Sequence, residues 1–258
     1  MTSTLRLEAG RATCDIDPEN GGRIVSISVD GRELLVVDGD EPLLRGCYPM
    51  APFAGRVRDA QLLVDRQIHH LRLNSPPHSI HGTVFDRGWV VDSALPDSVT
   101  LSTGLGPHWP FTGTITQQIK LHPNHLELEL ELHADERMPA QVGWHPCFVK
   151  PTVTSMRFAH MLVRDEHGIA TTQRVEHDPV DVDDCFEDLI TPDGRIGLTV
   201  NGVEIALTSD CRHWVVYDRP AHVTCIEPQS GPPNGVNSCP DFIEAGGSLR
   251  RFLTIAWT

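Results

Sequence analysis

The sequence has no apolar run that approaches the length of a membrane span. Its opening residues, Met1-Thr2-Ser3-Thr4-Leu5-Arg6-Leu7-Glu8, contain no apolar signal core. A cytoplasmic protein without a membrane partner is the expectation. The seven cysteines, Cys14, Cys47, Cys147, Cys185, Cys211, Cys225 and Cys239, form no Cys-x-x-Cys pair. An odd, scattered set points to reduced and mostly buried thiols, and a zinc site built from cysteine is not expected. There is no His-x-His pair and no His-Glu-x-x-His helix. His69, His70, His78 and His81 lie close in sequence, but adjacent residues of a strand point to opposite faces, so no metal site is expected of them. A Gly-x-Ser-x-Gly elbow and a phosphate-cradling glycine loop are also missing, which removes two common routes to nucleophilic and nucleotide chemistry. Positive charge is in short supply: 21 Lys and Arg stand against 35 Asp and Glu, for a net charge of -14. Nucleic acid and anionic membrane surfaces favour basic patches, so neither is an expected partner.

A helical period is absent too; no window longer than roughly a dozen residues carries a clean one. What the chain has is short β-prone runs joined by turns. Gly21–Leu35 places Asp30-Gly31 between β-branched flanks, and Gly197–Leu207 places Asn201-Gly202 at its tip; both predict two-residue hairpins. Gln61–Leu71 predicts a third, turning near Asp65. His125–His133 alternates without a break, with four Leu for a core and three Glu for water. Arg164–Asp188 is polar and acidic and is expected to form long loops. No linker or repeat divides the chain. The pattern predicts an all-β protein, a large antiparallel β-sandwich, as a single domain over residues 1–258.

One stretch resists regular structure: Cys225-Ile226-Glu227-Pro228-Gln229-Ser230-Gly231-Pro232-Pro233-Asn234-Gly235-Val236-Asn237. Its prolines lack the amide hydrogen of a central strand, so Glu227 is read as a carboxylate at a strand end, launched into a stiff loop. Arg56, His81 and His145 share its setting beside strands and next to Pro or Gly, and Asp183 and Asp184 add carboxylates. Singly, each has a plainer reading: a solvated or Asp59-paired arginine, a turn histidine, a core histidine, an incidental turn glutamate.

Together these residues resemble the aldose 1-epimerase (galactose mutarotase) family, over most of the chain. Glu227-Pro228-Gln229 resembles the loop that carries the family's general base, and Trp144-His145-Pro146 the segment of its general acid. Ile80-His81-Gly82 resembles the second active-site histidine, Phe53-Ala54-Gly55-Arg56-Val57 the sugar-binding arginine, and Asp183-Asp184-Cys185-Phe186 the aspartate that holds sugar hydroxyls. All five occur in the family's order. Gly55 and Ala60 depart from it, standing where the family usually has Asn and Gly. The resemblance implies the galactose mutarotase-like supersandwich, a small-molecule sugar substrate, and cofactor-free ring opening. In that chemistry Glu227 takes the proton of the C1 hydroxyl and His145 protonates the ring oxygen, from opposite sides of the sugar. His81 would steady charge, Arg56 and Asp183 or Asp184 would hold hydroxyls, and Trp144 would stack on the ring.

Three alternatives stay open at this level. A hexose-6-phosphate 1-epimerase would need more cations, for which Arg56, Arg58 and Arg87 are candidates. A non-catalytic sugar-binding protein would share the fold, and a glycosidase would use Glu227 with Asp183. Monomer and homodimer are both compatible with the sequence.

Overall fold

The structure is a computed structural model and describes residues 4–258. Two large antiparallel sheets of 11 and 8 strands carry most of the chain. The alternating strand His125–Ala134 pairs with Gly113–His122 on one side and Ser248–Trp257 on the other, at the centre of the 8-stranded sheet. Leu126, Leu128, Leu130 and Leu132 are all buried and join Trp144, Phe148, Phe186 and Trp214 of the larger sheet in one continuous core. The sandwich expected from the sequence is therefore what forms, and the two sheets meet through these apolar faces.

The three predicted hairpins are present. Asp30-Gly31, Asp65-Arg66 and Asn201-Gly202 all have positive φ at both turn residues, the conformation that matches the twist of the flanking strands. Two of the tips dock on each other: Asn201 Nδ2 donates to the Glu33 carbonyl at 2.7 Å and Arg32 Nη1 to the Gly202 carbonyl at 3.0 Å.

Two expectations are corrected. Arg164–Asp188 is not mainly loop, since Ala170–Val175 and Asp183–Leu189 are strands of the larger sheet. Its acids are matched by arginines distant in sequence or on neighbouring strands. Arg164 pairs with Asp183 and Asp184, Arg174 with Glu187 at 2.6 Å, and Arg212 with Asp188 at 2.8 Å. The second correction concerns Glu227. It lies inside a strand, Val223–Gln229, which is buried at every position and includes Pro228. Both faces of the larger sheet are covered here, so the strand shows no alternation that a sequence could reveal. All seven cysteines are free; six are buried and Cys239 is exposed. Among the described residues no helix is long and apolar enough to cross a membrane.

The period-two division of His125–Ala134 sets a test by urea unfolding. Leu128→Ala should lower stability by roughly 2–5 kcal/mol through lost burial and a residual cavity. Glu129→Ala, which removes only an Arg250 ion pair at the surface, should cost less than about 1 kcal/mol.

Candidate active site

The site is built on the outer face of the larger sheet, opposite the core. Strand order there runs Cys47–Met50, Gly143–Val149, Val223–Gln229, His213–Tyr217, Asp183–Leu189. His145 pairs with Tyr48 on one side. On the other side the pairing lapses between Gly143↔Gln229 and Cys147↔Cys225, with the same register at both ends. That register sets His145 opposite Glu227. Glu227 in turn pairs with Val215, and Val215 with Cys185. A second row, two residues along, runs Cys147, Cys225, Tyr217, Asp183. Residues paired across antiparallel strands, and those two apart on one strand, share a face. The rows therefore gather these side chains on one surface.

His145 and Glu227 meet directly. His145 Nε2 is 3.3 Å from Glu227 Oε1, and both residues are less than 5% exposed. Gln229 Nε2 donates to Glu227 Oε2 at 3.0 Å. The imidazole stacks on the Tyr48 ring at 4.6 Å between centroids, and its Nδ1 lies 3.4 Å from Cys147 Sγ. Arg23 covers the Tyr48 ring at 4.4 Å, an additional positive charge behind the pair. Burial disfavours the Glu227 carboxylate and lifts its pKa to about 7; Asp183 adds to the rise, while His145 and Gln229 oppose it. Burial also disfavours the His145 imidazolium, yet the negative charge of Glu227 and the contact with Cys147 outweigh it and raise the histidine. Each group's charge acts on the other, so their titrations are linked.

Loops deliver the remaining groups. Arg56 stands on a two-residue strand, Arg56–Val57, paired with Ser79–Ile80, so His81 follows directly beside it. The loop after Glu227 fixes this ribbon: Asn234 N–H donates to the Arg56 carbonyl at 2.7 Å, and Asn234 Oδ1 accepts from Arg58 N–H at 3.1 Å. Gly82 is required here, because a Cβ on it would lie 1.9 Å from the Ala51 carbonyl oxygen. The His81 ring meets that of His145 edge-on at 4.9 Å. Burial first, then the charges of His145 and Arg56, hold His81 well below the ordinary histidine range, so it is neutral. Its buried Nδ1 has no partner among the described residues.

These side chains line a cleft of about 240 Å³. Its walls include Arg56, His81, His145, Asp183, Tyr217 and Glu227, together with Glu41, Leu43 and Leu44. Of the two aspartates, Asp183 lines the cleft and Asp184 does not. Trp144 is a correction. It neighbours His145 on a strand, so it points to the opposite face, where it is fully buried in the core. The aromatic ring that lines the cleft is Tyr217. The expected placement of His145 and Glu227 on opposite sides of a ligand is also corrected: they stand side by side on one wall. Arg58 pairs with Asp165, and Arg87 donates to the Gly104 carbonyl at 3.0 Å; neither lines the cleft. Sequence reasoning missed Tyr48, Gln229, Cys147, Cys225 and Tyr217. Three of them carried a usable signal, since Cys147, Cys225 and Gln229 stand two residues from His145 or Glu227 on the same strands.

The model of the aldose 1-epimerase family matches residues 3–234. The chain belongs to the aldose 1-epimerase family. Solved structures share the fold along nearly their whole length. A galactose mutarotase-like protein from Clostridium acetobutylicum superimposes with a TM-score of 0.87 at 14% identity, covering 99% of this chain and 95% of that one. An aldose epimerase homologue from C. elegans gives 0.86 at 15% identity, with 100% and 99% covered. Galactose 1-epimerase from Lactobacillus acidophilus gives 0.82 at 17% identity, with 99% and 94% covered. At such identities the likeness is one of fold. No curated protein matches the sequence significantly. Family and fold together support a mutarotase-type activity for this member of the epimerases.

The raised Glu227 can be read directly. In protein with ¹³C-labelled glutamate, one carboxyl should titrate near pH 7, far above the ordinary value of about 4.3. Gln229→Ala removes a hydrogen bond that favours the carboxylate, so the same titration should move upward. A Glu227 signal that titrates below about 5 would contradict the burial argument.

Proposed function

We propose that this epimerase interconverts the α- and β-anomers of a free, unphosphorylated hexose, with Glu227 as base and His145 as acid. The observation that carries the reading is the buried contact between His145 Nε2 and Glu227 Oε1, at 3.3 Å, on the wall of the cleft. The anomeric hydroxyl and the ring oxygen are bonded to the same carbon. Two proton-transfer groups side by side therefore suit this reaction, and neither needs to reach across the sugar. Glu227 takes the C1 hydroxyl proton while His145 gives one to the ring oxygen, and the C1–ring-oxygen bond opens to the aldehyde. Rotation about C1–C2 presents the other carbonyl face, and closure returns both protons. A carboxyl near pKa 7 and a raised imidazole are matched for exchange in both directions at neutral pH.

The other groups take roles from position. His81, neutral and beside His145, supports a hydrogen bond to the ring oxygen without competing as an acid. Arg56 has no ion-pair partner among the described residues and lines the cleft, which suits a hydroxyl donor. Asp183 is oriented by Arg164 through a 3.0 Å bond and suits a hydroxyl acceptor. Tyr217 offers the apolar face that a pyranose stacks on. The charge balance favours a neutral sugar. Arg56 is the single Lys or Arg lining the cleft, against Glu41, Asp183 and Glu227, and Arg58 is engaged by Asp165.

Polarimetry on freshly dissolved α-hexoses tests the assignment. Glu227→Gln should reduce the catalysed rate by about 10²–10⁴-fold while the protein stays folded by circular dichroism. Full activity in that variant would overturn the base assignment. In the wild-type protein, kcat/KM for glucose or galactose should exceed that for glucose 6-phosphate by at least about tenfold, the reverse of what a phosphate-binding cleft would give.

A further inference from the structure

Behind His145, on the side away from Glu227, three soft ligand atoms converge. Cys147 Sγ is 3.4 Å from His145 Nδ1 and 3.5 Å from Cys225 Sγ. The ligand atoms of all three residues lie within 4.8 Å of one another, and all three residues are buried. A tetrahedral zinc ion with Zn–S of about 2.3 Å and Zn–N of about 2.0 Å sets its ligands about 3.8 Å apart for sulfur–sulfur and about 3.5 Å apart for sulfur–nitrogen. The two measured separations are already within a few tenths of an ångström of those values. The strands hold them there: Cys147 and Cys225 are directly paired, and Cys147 is two residues from His145 on one face.

We propose that His145 Nδ1, Cys147 Sγ and Cys225 Sγ form a binding site for a thiophilic divalent ion of the zinc type, and that its occupancy switches off the epimerase by capturing the acid. The ligand set selects against magnesium and calcium, which prefer oxygen. One Zn²⁺ displaces the proton of each thiol to solvent and gives a complex whose two thiolates balance the ion's charge, with no oxidation or reduction. Charge balance matters because the surroundings are apolar: Leu44 and Val223 pack with the two thiols. Leu44, in the Pro42–Leu44 turn, packs with the cluster and also lines the cleft. A metal on Nδ1 takes the place of the imidazolium proton there, which also leaves to solvent. The ion leaves the ring neutral, with its Nε2 proton far less acidic than that of imidazolium. The inhibitory part of this proposal rests on His145 being the acid; the binding part does not.

The test uses the full-length reduced protein with zinc sulfate and a competing chromophoric chelator. Wild type should bind one Zn²⁺, and Cys225→Ala should bind it at least about 100-fold more weakly, a larger loss than an outer partner of a metal ligand causes. Cobalt(II) in wild type should give the intense thiolate charge-transfer absorption, absent in Cys225→Ala. In polarimetry, stoichiometric zinc should suppress wild-type anomerisation, a chelator should restore it, and the activity that Cys225→Ala retains should not respond to zinc. Lack of stoichiometric binding, or cobalt spectra without thiolate bands, overturns the site, and the wild-type cobalt spectrum decides this even if Cys225→Ala fails to fold. Tight binding without loss of activity overturns the switch. If no anomerisation is seen with any hexose, the proposed function fails, while the binding and cobalt measurements still decide the site.

Discussion

Everything in the site depends on a carboxylate and an imidazole held against each other out of water. Taking charges from water into a protein interior costs several kcal/mol per ion, even after relaxation. Here the cost is moderated in two ways. The Glu227 pKa of about 7 means that a large part of the population carries a proton instead of a charge. The charged form, when present, is met at once by His145 Nε2 and Gln229 Nε2, at 3.3 and 3.0 Å. Tyr48 fixes the plane of the imidazole from below. A proton can therefore move between ligand, Glu227 and His145 without a large reorganisation of the surroundings.

The sheet makes this arrangement possible by dividing work between its two faces. Trp144, Phe148, Phe186, Trp214, Val216 and Ile226 point inward and bind the sheet to its partner through one apolar core. Their immediate neighbours, His145, Cys147, Cys185, Val215, Cys225 and Glu227, point outward into the region of the cleft. Stability and chemistry alternate residue by residue along the same strands. Arg56 and His81 are added from a small ribbon clamped by Asn234, so the loop after Glu227 has a structural task even though the glutamate itself is not part of it.

This arrangement also explains what could be read in advance. The hairpins at Asp30-Gly31 and Asn201-Gly202 were legible because turn chemistry is local, and the His125–His133 strand because one of its faces meets water. His145, Glu227, His81, Arg56 and Asp183 were legible as a set through the family pattern, and the structure lines one cleft with all five. Trp144 was misread as a sugar platform because adjacency in sequence was taken for adjacency in space. Asp183–Leu189 was hidden by its acids, whose arginine partners, Arg164, Arg174 and Arg212, stand outside it. Cys147 and Cys225 passed as core residues because each is apolar company in its own segment. Only strand pairing brings their sulfurs to 3.5 Å.

Proline is the residue that misled most and explains most. Pro146 follows the histidine and Pro228 follows the glutamate. Both stand in central strands, where a missing N–H usually argues against such placement. Cys147 N–H donates to the Gly46 carbonyl, on the side away from the glutamate strand, so the nitrogen of Pro146 turns toward that strand. Ser230 N–H donates to the Val142 carbonyl, so Pro228, two residues earlier, turns its nitrogen toward the histidine strand. Both nitrogens face the stretch where pairing lapses between Gly143↔Gln229 and Cys147↔Cys225. The shared register sets the Ile226 carbonyl opposite the Pro146 nitrogen and the Trp144 carbonyl opposite the Pro228 nitrogen, so the ladder bonds that would close this stretch lack their donors. Proline also confines the residue before it to extended angles, which keeps His145 and Glu227 in strand geometry where the ladder no longer does. The two residues that a sequence reading treats as strand breakers thus open the ladder beside the buried acid–base pair while holding both groups extended.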